Sequence, residues 1–208
     1  MNRNQYIKLA KQAADLQIRE LKKIKKIFNR SFIQAVDLIL NCRGKVIFAG
    51  IGKSGLIARK ISATFSSVGI PSFFCDPAQA IHGDMGQIEK KDILIIFSYS
   101  GNTTELNNML KYANRFRIKI IGAASKSDSL LLKASDIKLL LPTVKESDLT
   151  GMVPTTSTSI TLLLGDCLAT TVMSKKRFSK EKFKIFHPGG NIGGKLLLAK
   201  DIMVTGNE

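Results

Sequence analysis

The stretch Asp92-Ile-Leu-Ile-Ile-Phe-Ser-Tyr-Ser-Gly-Asn-Thr-Thr-Glu105 constrains this chain most. Ile93 to Phe97 is an unbroken apolar run. A run that is short and apolar at every position suits a strand buried on both faces, the usual condition of a parallel sheet. The chain then changes character within one residue. Of Ser98, Ser100, Gly101, Asn102, Thr103 and Thr104, five carry a short polar side chain and the sixth is glycine. Glu105-Leu-Asn-Asn-Met-Leu-Lys-Tyr-Ala113 follows with a helical pattern. Backbone N–H groups at a helix N-terminus have no partner within the helix, and the dipole there favours negative charge. Hydroxyls place further donors around the same point. One such residue is an ordinary cap, whereas five around a glycine predict a phosphate cradle.

The flanking segments supply the rest of a fold. Residues 4–40 read as helix: Ile7, Ala10, Ala14, Leu21, Ile24, Phe28, Ala35 and Ile39 recur at three- and four-residue steps. A break is expected near Asn29-Arg30-Ser31, with Ser31 as the cap of a second helix. The apolar stripe of this arm has two outlets, another subunit or its own domain. Lys45–Ala49 is the first strand, followed by Gly50-Ile-Gly-Lys-Ser-Gly55 and a helix from Leu56 to Ser67. The G-x-G-x-x-G spacing is by itself a weak sign of a dinucleotide site. The strand Ser72–Cys75 is short, and Asp76 beyond it precedes a proline, so the expected ribose-binding acid is unconvincing. Too few residues separate the first glycine from Gly-Lys-Ser for a P-loop. What remains is a turn that carries Lys53 and Ser54 to a strand's carboxyl end, where open parallel sheets bind ligands.

Further strands are expected at Lys119–Ala124 and Asp136–Leu141, with a short helical turn at Leu130–Ala134 between them. Lys145-Glu-Ser-Asp148 makes an acidic loop at the last strand's end, and Thr155-Thr-Ser-Thr-Ser159 caps an apolar helix, Ile160–Met173. The two histidines, His82 and His187, both lie in glycine-containing loops. Strand and helix thus alternate five times, which means a parallel α/β sandwich with right-handed crossovers. A chain of 208 residues fits one sizeable core. Its net charge of +16 allows anionic partners, but no nucleic-acid module accompanies it, and no nucleic-acid partner is expected. No apolar stretch is long enough to cross a bilayer, so no membrane partner is expected either. Cys42, Cys75 and Cys167 are odd in number and far apart, as in reduced thiols of a cytoplasmic protein.

Taken together, these motifs resemble the sugar isomerase (SIS) domain family. Ser98-Tyr-Ser-Gly-Asn-Thr-Thr-Glu105 looks like its phosphate loop. Gly50-Ile-Gly-Lys-Ser-Gly55, Ser72-Phe-Phe, His82-Gly-Asp, Pro154-Thr-Thr-Ser-Thr158, Gly165-Asp166, His187-Pro-Gly-Gly190 and Asp201-Ile-Met203 fall in the order of one branch. That branch interconverts D-ribulose 5-phosphate and D-arabinose 5-phosphate on the route to 3-deoxy-manno-octulosonate (KDO) and lipopolysaccharide. The resemblance covers roughly residues 30–208. It implies a five-stranded parallel sheet flanked by helices, a flavodoxin-like three-layer sandwich. It divides the chain into a helical arm (1–40), the SIS domain (41–200) and the start of a linker (201–208) toward the paired CBS domains that long members carry. Tyr99 and Asn102 depart from the family's phosphate loop, and Asp76 stands where many members have histidine.

The resemblance also implies roles. Lys53, His82, Glu105, Glu146 and His187 match the family's active-site positions. Gly52, Ser54, Ser98, Ser100, Gly101, Asn102 and Thr103 match its phosphate-binding turns, with Thr155, Thr156 and Ser157 close by. An aldose–ketose step needs a base beside the carbonyl and a stabiliser for the enediolate oxygen, and no cofactor or metal. Lys53 is the expected cation, Glu146 the preferred base over Glu105, and the histidines the groups for ring opening or proton shuttling. A homotetramer acting on a sugar phosphate is expected. A non-catalytic sugar-phosphate sensor and an isomerase of another sugar phosphate are the competing readings. Because Ser100 would bind phosphate equally in ground and transition states, Ser100→Ala is expected to raise KM with only a modest fall in kcat. Steady-state kinetics check this, and an unchanged KM removes Ser100 from the phosphate site.

Overall fold

Strand residues of this chain alternate between two apolar layers, and the alternation sets the architecture. The computed structural model describes residues 3–187. Its strands are β1 (Val46–Ala49), β2 (Ser72–Phe74), β3 (Ile93–Phe97), β4 (Lys119–Ala124) and β5 (Ile137–Leu140). All pair in parallel, in the order β2-β1-β3-β4-β5. Val46, Phe48, Ile93, Ile95 and Phe97 enter one core, and Ile47, Ala49, Leu94 and Ile96 enter the other. Side chains alternate across a strand with period two, so two buried faces require an apolar residue at every position. The run at 93–97 meets that requirement, as expected.

Helices cover both faces. α1 (Arg3–Leu21), a 3-10 turn (Lys22–Ile27) and α2 (Arg30–Leu40) precede β1. α3 (Gly52–Ser67) links β1 to β2, and α4 (Pro77–Ala80) follows β2. α5 (Asn107–Arg115) and α6 (Leu130–Ala134) flank β4, and α7 (Thr156–Lys175) and α8 (Lys180–Phe186) follow β5. α2, α3 and α7 pack on the first face, α5 and α6 on the second. α3 and α7 touch at Gly165, where an added Cβ would lie 2.1 Å from Ile61 Cδ1. Only a residue without a side chain lets the helices come that close.

The five-stranded parallel sandwich matches the expectation, and several local boundaries differ. Asn29, not Ser31, caps α2: its Oδ1 accepts from the Ser31 amide at 2.9 Å. The cap is the residue whose own backbone is still extended, and that residue is Asn29. α3 begins at Gly52 instead of Leu56, and α7 at Thr156 instead of Ile160. The stripe on the arm divides. Ile24, Ala35 and Ile39 are buried, while Ile7, Ala10, Ala14 and Phe28 are exposed. α2 therefore folds back on its own domain, and the first turns of α1 run past the domain's edge. The expected Pro-Gly-Gly sequence after His187, the Asp201-Ile-Met203 motif and the linker at 201–208 lie outside the described residues.

One buried charge fixes where β3 begins. Asp92 is 1% exposed, and its carboxylate accepts from the amides of Lys45 (2.7 Å) and Glu89 (2.8 Å). The Lys45 ammonium lies 3.6 Å away. Asp92 thus ties the start of β1 to the turn that feeds β3. Asp92→Asn keeps the shape but turns one acceptor into a donor facing a donor. The expected cost is on the order of 2 kcal/mol, a fall of roughly 4–8 °C in melting temperature, read by thermal denaturation followed by circular dichroism.

Candidate active site

From β1 the chain passes to β2 on one side and then crosses to β3 on the other. The loops leaving β1 and β3 diverge at their carboxyl ends, and such switch points are where open parallel sheets bind ligands. A cavity of about 510 Å³ lies there. Lys53 and Ser54 line it after β1, Ser98, Tyr99, Ser100 and Thr103 after β3, Val144 and Glu146 after β5, and Ser157 and Thr158 at the start of α7.

The turn after β3 is folded tightly on itself. Ser98 Oγ and Thr103 Oγ1 are 2.9 Å apart, and the Gly101 amide donates to Ser98 Oγ at 3.1 Å. The Asn102 amide donates to Ser100 Oγ at 3.3 Å. Gly101 has φ +71°, and a Cβ there would lie 2.3 Å from Ser129 Oγ, so both its backbone and its surroundings require glycine. The result puts three hydroxyls, of Ser98, Ser100 and Thr103, on the cavity wall ahead of the 3-10 turn Thr104–Leu106 that leads into α5. Asn102 turns the other way. Its Oδ1 accepts from the Leu130 amide at 2.9 Å and caps α6 together with Ser129.

Glu146 reaches the cavity while capping α7. Its Oε2 accepts from the Thr155 amide (2.9 Å), the Thr155 hydroxyl (3.0 Å) and the Ser157 amide (3.2 Å). Burial pushes this carboxyl up, but the donors of Ser157 and Thr155 outweigh it and hold it below the ordinary carboxylate range. Thr155 and Ser157, expected near phosphate, are thus partly occupied by Glu146. Thr156 is fully buried, and its Oγ1 has no hydrogen-bond partner among the described residues.

Other expected site residues stand outside this wall. Glu105 is exposed and accepts from the Thr104 hydroxyl at 3.0 Å, and its own backbone amide and that hydroxyl lower its pKa. His82 is exposed on the turn after α4. The Nδ1 of His187 sits 2.9 Å from the Phe183 carbonyl, and the ring stacks on Phe183 at 3.8 Å. It lines a groove beside β2 with Arg59 and Phe74. Gly52 lines a neighbouring pocket, which Lys53 and Asp76 share. Asp76 accepts from the Ala78 amide at 2.9 Å and caps α4. Among the described residues no group of three or more His, Cys, Asp or Glu side chains could hold a metal.

Tyr99 is a wall residue whose role the sequence pattern did not reveal. Its hydroxyl donates to the Pro142 carbonyl (3.3 Å) and accepts from the Val144 amide (2.9 Å). Burial pushes the phenol up. The side chain thereby fastens the loop after β5, which carries Glu146, to the turn after β3. Its signal in the sequence is an aromatic residue between two serines, where a phosphate turn needs only small polar groups.

The chain is similar to several known proteins. Over 199 residues the chain is 41% identical to arabinose 5-phosphate isomerase KdsD of Yersinia pestis, covering 95% of this chain and 61% of that protein. It is 39% identical over 189 residues to the KdsD of Escherichia coli strain K12, covering 90% of this chain and 58% of that one. The chain thus spans about three fifths of the length of the curated relatives it matches. An Escherichia coli CFT073 protein solved in complex with arabinose 5-phosphate is 33% identical, with a TM-score of 0.86, over 90% of this chain and 100% of that chain. With residues 39–171 matching the SIS domain itself, the chain belongs to the SIS domain family.

Proposed function

We propose that the chain is an aldose–ketose isomerase that interconverts D-ribulose 5-phosphate and D-arabinose 5-phosphate through an enediol. The observation that carries this is a single cavity shared by Lys53, Glu146 and the hydroxyls of Ser98, Ser100 and Thr103. The relatives named arabinose 5-phosphate isomerase and the similar structure with arabinose 5-phosphate support the choice of sugar. The turn at 98–103 takes the phosphate. Glu146, ionised at neutral pH, takes the C2 proton of the aldose. Lys53 balances the enediolate charge that results, as a fixed cation already in place. Return of that proton to C1, with transfer of the O2 proton to O1, completes the ketose. This reaction belongs to the cytoplasm, upstream of KDO and lipopolysaccharide synthesis.

The purified chain, supplied with neither metal nor nucleotide, is expected to equilibrate the two pentose phosphates. In deuterated water the aldose should gain deuterium at C2. Glu146→Gln should lose about 10²- to 10⁴-fold in turnover while still binding the sugar phosphate. Binding without turnover in the native chain overturns the isomerase in favour of a non-catalytic sugar-phosphate regulator. Turnover of a heptulose phosphate alone keeps the mechanism and overturns the substrate.

A homotetramer is the assembly that fits best. Tyr6, Ile7 and Leu9 are exposed on α1, and Leu149 and Met152 are exposed beside the cavity. In such an assembly His82 and His187 serve the cavity of a neighbouring copy. Light scattering at micromolar concentration should return the tetramer mass. A stable monomer with full activity overturns both the assembly and the shared histidines.

A further inference from the structure

We infer that Glu20, helped by Gln17, is a positioning residue that holds Glu146 in the cavity from the N-terminal helix. The inference rests on the reading of Glu146 as the proton-transfer group, although the geometry itself stands without it.

Seven residues carry the contact. Glu20 is charged yet only 5% exposed. Its Oε2 accepts from the Lys145 amide at 3.0 Å and from Lys23 Nζ at 2.5 Å. Lys23 Nζ also donates to the Thr143 carbonyl at 3.3 Å. One turn before Glu20, Gln17 Nε2 donates to Ser147 Oγ at 3.1 Å, and Gln17 Oε1 accepts from Ser159 Oγ of α7 at 3.0 Å. Gln17, Glu20 and Lys23 are three residues apart, so they share one face of the helical arm. That face grips the chain at 143, 145 and 147, on both sides of Glu146.

The loop itself explains why this aims Glu146. Pro142, Val144 and Glu146 are half-buried, while Thr143 and Lys145 are exposed. In extended chain successive side chains point to opposite sides. Holding the backbone of 143 and 145 from the arm therefore turns Val144 and Glu146 to the cavity. A second link runs through Ser147: its amide donates to Thr155 Oγ1 at 2.9 Å, and that hydroxyl donates to Glu146. A buried carboxylate is costly unless it is paired and hydrogen-bonded. Glu20 is paired, and both its partners, Lys145 and Lys23, serve this one loop.

The other charged and titratable groups around Glu146 are Lys53 and Tyr99 on the cavity wall, Lys145 beside it, Asp148 on the next turn, and the Glu20–Lys23 pair. Releasing the loop would separate Glu146 from the Thr155 and Ser157 donors that keep it acidic. Its carboxyl would then titrate at higher pH.

The experiment follows the Glu146 carboxyl by carbon-13 NMR in the full chain, with the signal assigned by its loss in Glu146→Gln. In Glu20→Ala the titration midpoint should move up toward the ordinary carboxylate range. In parallel, kcat should fall about tenfold or more while KM stays within about twofold, since a small misplacement of a reacting group is costly and the phosphate turn is untouched. The acid limb of the kcat profile should move up with the midpoint. Glu20→Gln, which keeps an acceptor for the Lys145 amide, should restore most of the rate. Gln17→Ala should act in the same direction, and it decides the question alone if Glu20→Ala does not fold. An unmoved midpoint with unchanged kcat overturns the inference. So does a loss of rate that tracks the folded fraction while the midpoint stays put. If the midpoint moves but the native chain turns over no sugar phosphate, the positioning role stands and the isomerase reading falls.

Discussion

The central strands β1, β3 and β4 are enclosed between two layers of helices, and that enclosure dictates where chemistry can occur. Backbone polar groups inside the sheet are consumed by the parallel ladder, and the buried side chains of these strands are committed to one of two apolar cores. Ionisable groups are excluded from the middle of these central strands and collect at their ends. At the amino end Asp92 closes the ladder. At the carboxyl end the change from Phe97 to Ser98 is the change from core to cavity. The two residues are adjacent, so hydrophobic packing directly fixes the position of the first hydroxyl.

The cavity is assembled from pieces widely separated along the chain, and side chains join them. Tyr99 ties the turn after β3 to the loop after β5. Glu146 ties that loop to the N-terminus of α7. Asn102 ties the turn to α6 through the Leu130 amide. Each link uses a polar group that would otherwise cap a helix or face solvent, so the scaffold and the site share atoms. Glu146 shows the tension in this arrangement. Donors that fix its position also lower its basicity, a compromise between orientation and proton affinity.

Much of the fold was legible because apolar periodicity reports burial directly. The runs at 46–49, 93–97 and 120–124 admit little else. Short polar residues after a strand also located the turn after β3 that lines the cavity. Direction was less legible. Asn102 belongs to the right motif but points at α6, and Glu105 engages its own helical turn, because residue type does not encode which way a side chain leaves a tight turn. His82 and His187 are loop residues whose partners are not other residues of the cavity wall in one chain. The arm's polar residues left a fainter trace. Gln17 falls on the same three- and four-residue steps as Ala14 and Leu21. A polar residue interrupting an apolar stripe at helical spacing marks a place where the helix bonds instead of packing.

The lengths of the outer strands have a consequence for self-association. β2 has three residues and β5 four, with Lys138 exposed in β5. A foreign strand laid along either border would gain few ladder bonds and would meet a lysine on one side. Both borders are therefore poor templates for growth of the sheet by addition of further strands. Copies of this chain are left to meet through helices and loops, which can bring side chains from one molecule toward another without opening either sheet.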